Sequence, residues 1–177
     1  MNRRGFSIVE LIIVITIMGI LLILGVVNLI STQANGRDAE RKTDVETIGL
    51  QLETYYTSGT DGVGTTGTVD LNTYPSTAII GQELAMLRDI DTNSLKAPGQ
   101  TNSSLTAATN NVQTTAGVSP QPTINKYVYQ PIKSDGTLCT GTYECRKFNL
   151  YYTLEIASVS ANCPSPGFVC MLTSKNQ

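Results

Sequence analysis

From Ile8 to Ile30 the chain holds 23 residues with Glu10, Thr16 and Asn28 as the clearly polar interruptions. As a helix this run spans roughly 35 Å at ~1.5 Å per residue, enough to cross a bilayer core of about 30 Å. Beyond Ser31 the pattern changes. Val45, Ile48, Leu52 and then Tyr55 or Tyr56 recur every three or four positions, the period of a helix with one buried stripe. The two patterns predict one helix from Phe6 to about Ser58, apolar all round in its first half and amphipathic in its second. Asp38 precedes Arg41 and Lys42 by three and four residues, and this charge run reads as a solvated face stabilised by a few tenths of a kcal/mol per pair.

The helix is expected to stop in residues 57–68, TSGTDGVGTTGT, where four glycines and five threonines oppose helix formation. Residues 79–90 predict a short helix with Ile80, Leu84 and Leu87 on one side. Residues 91–123, rich in Ser, Thr, Asn, Gln, Gly and Pro, predict an exposed, flexible loop. Strands are predicted at 126–132, 147–156 and 168–172. In the middle one Phe148, Leu150, Tyr152, Leu154 and Ile156 alternate with Lys147, Asn149, Tyr151, Thr153 and Glu155, a greasy face and a wet one. The greasy face needs a cover, and the Val45, Ile48, Leu52 stripe supplies it. The fold class is therefore α+β: a long N-terminal helix packed against a C-terminal antiparallel sheet, with a head of about 120 residues as one domain.

Charge fixes the orientation. Arg3 and Arg4 precede the apolar run and the next basic residue is Arg37, so the positive-inside rule keeps the N-terminus in the cytoplasm and sends residues after about 31 outside. A cleavable secretory signal has a shorter apolar core and a small-residue cleavage site behind it, and does not place an acid near its start. A carboxylate in hydrocarbon costs on the order of 2.5 to 3.5 kcal/mol at a helix centre, so Glu10 calls for a cationic partner.

The string Gly5-Phe6-Ser7-Ile8-Val9-Glu10, behind a short basic leader and ahead of an apolar helix, resembles the class III signal of type IV pilins and type II secretion pseudopilins. The resemblance implies the pilin fold, cleavage between Gly5 and Phe6 by a membrane-embedded prepilin peptidase, and N-methylation of Phe6. It divides the chain into a leader at 1–5, a transmembrane and filament-core helix at 6–30, the amphipathic half of the helix at 31–58, and an extracellular head at 59–177. Cleavage creates an amine on Phe6, one helical turn from Glu10. In a filament, an unmatched Glu10 attracts the Phe6 amine of the next subunit and sets the axial register. The resemblance further implies a precursor in the inner membrane, contact with lipid before assembly, a helical homopolymer outside the cell, and an assembly platform driven by a separate cytoplasmic ATPase. Pilins often carry a proline late in this helix. None stands here, and any loosening is expected between Gly19 and Gly25.

Cys139, Cys145, Cys163 and Cys170 all fall outside the membrane run, and an even count in an exported chain reads as disulfides. Three pairings are open; Cys139 with Cys145 and Cys163 with Cys170 is favoured because each closes a short loop beside the central strand. Four-thiolate zinc is disfavoured, since C-x-x-C spacing and histidine are both missing. Asp61, Asp70, Asp89 and Asp91 are scattered without catalytic pairing or EF-hand spacing, and Asn102-Ser103-Ser104 matches a glycosylation triplet by chance composition. No cofactor and no catalytic residue is implied. The formal charge falls from −2 to −4 when Arg3 and Arg4 leave with the leader, which gives no overall footprint for nucleic acid. The local patch of Lys126, Lys133, Arg146 and Lys147 reads as ordinary solubility.

The leading reading is a type IV pilus subunit for adhesion, surface motility or DNA uptake. The cysteines and the long variable loop favour it. Tyr74-Pro75 and the Leu52-x-x-Tyr55-Tyr56 pattern resemble the major pseudopilin and favour a secretion pseudopilin instead. A membrane-anchored extracellular enzyme or binding module is the third reading, in which the Gly5-Phe6 junction and Glu10 are coincidences.

Overall fold

The computed structural model describes residues 6–58, 72–87, 89–140, 145–160 and 162–176. The expected leader with Gly5, most of the glycine- and threonine-rich break, and Asp61 and Asp70 lie outside the described residues. Helix α1 spans Ile8–Ser58, and the chain divides into two compact units, Met1–Gly36 and Arg37–Gln177.

In the first unit the helix starts behind Ser7. Its hydroxyl accepts from the Val9 N–H at 3.3 Å and its carbonyl from the Leu11 N–H at 3.2 Å, the position and chemistry of an N-cap. Every residue from Ile8 to Gly25 is exposed. The Thr16 hydroxyl donates to the carbonyls of Ile12 at 3.0 Å and Ile13 at 2.8 Å, so this polar group is satisfied inside the helix, as an apolar solvent requires. The helix passes unbroken through Gly19 and Gly25.

The second unit is the head. Its sheet holds β1 (Leu105–Ala107), β2 (Tyr127–Lys133), β3 (Cys145–Ser160) and β4 (Cys163–Thr173) in the order β1-β2-β3-β4. The pairs β2/β3 and β3/β4 are antiparallel, with Tyr129 opposite Leu150 and Leu150 opposite Leu172. The expected cover is in place: Val45, Ile48 and Leu52 of α1 share one buried core with Tyr127, Tyr129, Phe148, Leu150, Tyr152 and Leu154. Gly49 allows the close approach, because a Cβ there would meet Leu172 Cδ2 at 2.6 Å. On the outer side of α1 the hydroxyls of Thr43, Thr47 and Thr54 turn back onto the carbonyls four residues earlier, at 2.8 to 3.0 Å.

Three sequence expectations change. Residues 79–90 do not form one helix: Gly81 takes φ +82°, and only Glu83–Met86, helix α2, is helical after the 3₁₀ turn Thr77–Ile79. Ile79, Leu87 and Ile90 are buried there, whereas Leu84 is exposed. Within 91–123, expected as an exposed loop, β1 pairs in parallel with β2, Leu105 opposite Tyr127. Ser94, Leu95, Ala97, Leu105, Ala108 and Val118 are buried. The supposed wet face of β3 is covered as well, since Tyr151 is buried with Val128, Ala108 and Val118 in a second cluster. Gln130 locks that cover down. Its amide donates to the carbonyls of Asn110 and Val112 at 2.9 and 3.1 Å, and its Oε1 accepts from Asn149 at 3.0 Å and from the Tyr151 hydroxyl at 2.9 Å. Burial pushes the Tyr151 phenol up to about 12.

Candidate functional site

At the N-terminus Phe6 is 74% exposed and Glu10 is exposed in the first turn of α1. Acid in a first turn is favourable against the helix dipole, and the Ser7-x-x-Glu10 spacing is that of a capping box. That second role was readable in the sequence beside the membrane argument. Among the described residues no cation lies within ion-pair distance of Glu10. Behind this start runs a helix long and apolar enough to cross a membrane. Residues 1–26 match the family model of the prokaryotic N-terminal methylation motif.

The chain carries a class III prepilin signal. This is the signal of type IV pilins and pseudopilins; it supports a protein of that family without distinguishing the two, and it implies processing by a prepilin peptidase and assembly into a pilin polymer. With the apolar helix it fits a membrane-anchored precursor. No curated protein and no solved structure matches the chain.

In the second unit, the charge run read as a solvated face is buried. Asp38 is 5% and Arg41 1% exposed. The Arg41 guanidinium donates to Asp38 Oδ1 at 2.8 Å, to Glu155 Oε1 at 2.8 Å and to the Ile124 carbonyl at 3.0 Å. The Asp38 carboxylate also accepts from the backbone N–H groups of Glu155 at 2.8 Å and Ile156 at 2.9 Å, and Arg37 forks onto Glu155. The signal was present in the spacing. Positions 38, 41, 45, 48 and 52 lie on one helical stripe, so the polar pair continues the buried face and clamps α1 to β3. The Arg37 hydrogen bond, with help from Arg41, holds the Glu155 carboxyl down at about 2. Its stabilisation is present above the ordinary carboxyl range near 4.5 and is lost as pH falls through about 2.

Asp44, one turn further on, has the opposite sign. It accepts from the Tyr127 hydroxyl at 2.9 Å, but burial, aided by Glu40 and Asp91, raises its carboxyl to about 6 against the lowering by Tyr127 and Arg41. Stability from this group is full below about 4, where folded and unfolded forms are both protonated, and falls as pH rises through about 6. Asp44→Asn keeps an acceptor for Tyr127 without the charge. It is expected to stabilise the head by about 1–3 kcal/mol at pH 8 and to leave it unchanged at pH 3.5, read from thermal unfolding by near-ultraviolet tyrosine circular dichroism.

The head is also cross-linked. Cys139 bonds to Cys145 and Cys163 to Cys170, with Cα separations of 5.6 and 4.2 Å. Among the described residues no group of three or more His, Cys, Asp or Glu could hold a metal ion.

Proposed function

We propose that this protein is a structural, non-catalytic subunit of a type IV pilus, cut between Gly5 and Phe6, N-methylated on Phe6, anchored in the inner membrane by residues 6–30 and assembled with its head, residues 59–177, outside. The observation that carries this reading is the helix directly behind the signal, whose described apolar side chains from Ile8 to Leu24 all lack a cover in the single chain. Lipid covers them in the precursor and the helices of other subunits cover them in a fibre. Glu10 pairs with the Phe6 amine of a neighbour, and assembly draws on a platform and a cytoplasmic ATPase. Disulfide cross-links suit a head exposed to shear and proteases.

The secretion pseudopilin is the second reading, favoured by Tyr74-Pro75. Here that dipeptide braces the head, since the Tyr74 hydroxyl donates to Glu53 Oε2 at 2.8 Å and the Pro75 carbonyl accepts from the Tyr129 hydroxyl at 2.6 Å. N-terminal peptide mass spectrometry on protein sheared from cells separates the readings. A chain beginning at N-methyl-Phe6 in the sheared fraction is the expected result. The same terminus in membranes alone favours the pseudopilin, and an uncut Met1 terminus overturns both.

A further inference from the structure

The patch of Lys126, Lys133, Arg146 and Lys147 seen in the sequence is not one surface. Lys126 opens on a polar groove with Gln100, Asn102 and Asn125. Arg146 and Lys147, from the start of β3, instead meet Lys175, which follows β4, across a cleft of about 620 Å³ whose remaining walls are Tyr56, Ser134 and Asn176. The cleft lies beside the last turn of α1, at the end of the head helix opposite Arg37.

Three features make it more than a solubilising patch. First, its cations are unmatched: among the described residues every ion pair belongs to the Arg37, Asp38, Arg41 and Glu155 network. Glu53, the acid on the adjoining turn of α1, is occupied by the Lys175 backbone N–H at 2.7 Å, the Asn176 amide at 2.7 Å and the Tyr74 hydroxyl at 2.8 Å. Second, the cations are placed. Arg146 is held by the Asn72 carbonyl at 2.8 Å, and Glu53 fixes the backbone that carries Lys175. Third, the wall is aromatic and braced, with the Tyr56 ring 4.7 Å from Tyr74 and Tyr74 edge-on to Phe148 at 4.9 Å.

A groove of cations beside a braced aromatic ring and an amide suits a chain of phosphodiesters bearing flat bases: charge tracks the backbone and the ring offers a stacking platform. We infer that this cleft binds the phosphodiester backbone of a nucleic acid. The net negative charge of the processed chain does not forbid it, because at physiological salt the Debye length of about 8 Å confines the field that a phosphate feels to the cleft itself.

Binding rests on the head alone; its use on a fibre rests on the pilus reading above. The test is fluorescence anisotropy of the full-length protein in non-ionic detergent with a labelled 12-nucleotide single strand and a 12-base-pair duplex. With three phosphates contacted, a dissociation constant on the order of 0.1 mM at 50 mM salt is expected. A rise to 200 mM salt is expected to weaken binding about 18-fold for the single strand and about 40-fold for the duplex. Tighter binding of the single strand supports a stacking role for Tyr56; equal binding of both supports backbone contact without it. Lys147→Gln with Lys175→Gln is expected to cost at least ten-fold, and Lys175→Gln alone, at an exposed site past the last strand, at least three-fold without altering the tyrosine signal. Lys126→Gln is expected to change nothing. No binding, binding indifferent to salt or to the cleft variants, an equal loss with Lys126→Gln, or equal competition by polygalacturonate would each overturn the inference. None of these outcomes alters the N-terminal mass, so this inference and the pilus reading fail separately.

Discussion

Asp38→Ala is expected to destabilise the head by about 3–5 kcal/mol, because it strips a buried arginine of one counter-charge and leaves two backbone donors of β3 without their acceptor. Arg41 is 1% exposed and retains Glu155 and the Ile124 carbonyl, so the loss falls short of a fully orphaned charge. Thermal unfolding followed by tyrosine circular dichroism measures the effect, with a drop in melting temperature of about 10 °C expected for a unit of this size. Combining Asp38→Ala with Arg41→Met removes the stranded charge together with its partner, and the double variant is expected to lose at least 1 kcal/mol less than the two single losses added. Additive losses would mean that the two side chains act independently, and a cost below 1 kcal/mol for Asp38→Ala would remove the clamp from the account of stability.

Glu10→Ala is expected to lower the number of surface fibres at least ten-fold while membrane insertion and cleavage after Gly5 proceed as before. Glu10 sits in the first turn of α1; on the pilus reading proposed above, that turn lies within reach of lipid headgroups before assembly, where its charge costs little. On transfer into a bundle of apolar helices the same charge requires a cation. Loss of a favourable first-turn acid alone amounts to only about 0.3–1 kcal/mol of helix stability. Glu10→Gln separates the roles, since it keeps a polar group at the helix start and lacks the charge; it is expected to fail as Ala does. Electron microscopy of cells together with immunoblots of membrane and sheared fractions gives the readout. Normal fibre numbers in either variant would sink the pairing argument.

The parts of the fold visible in advance are those where one physical signal dominates. Helix α1 announced itself by a long apolar run followed by a 3.6-residue stripe, and β3 by side chains alternating in polarity. Where the structure departed, a weak local signal had been overruled by tertiary contacts. Strand β1 has three residues in a threonine-rich stretch and exists because Ser104 and Ala108 find partners on β2 at 2.9 and 2.8 Å. Tyr151 looked like a wet-face residue because a phenol tolerates water, yet Gln130 gives it a buried acceptor. Asp38 and Arg41 looked solvated because charge was weighed by type; weighed by position, they extend the Val45, Ile48, Leu52 stripe by two places. At the candidate site the signal segment was legible as a motif, while the cleft of Arg146, Lys147 and Lys175 was not. Its third cation lies 28 positions from Lys147 in the chain and joins it only when β4 returns alongside β3.

The threonines on the outer side of α1 carry one more consequence. By composition Thr43, Thr47 and Thr54 make that side polar, but each hydroxyl hydrogen is already donated to the helix's own carbonyl four residues back. Facing outward, then, are methyl groups and oxygens with no proton left to offer. Water there can donate to the hydroxyls and receives no donation in return. A neighbouring surface that dehydrates this ridge forfeits fewer hydrogen bonds than a count of its threonines would indicate.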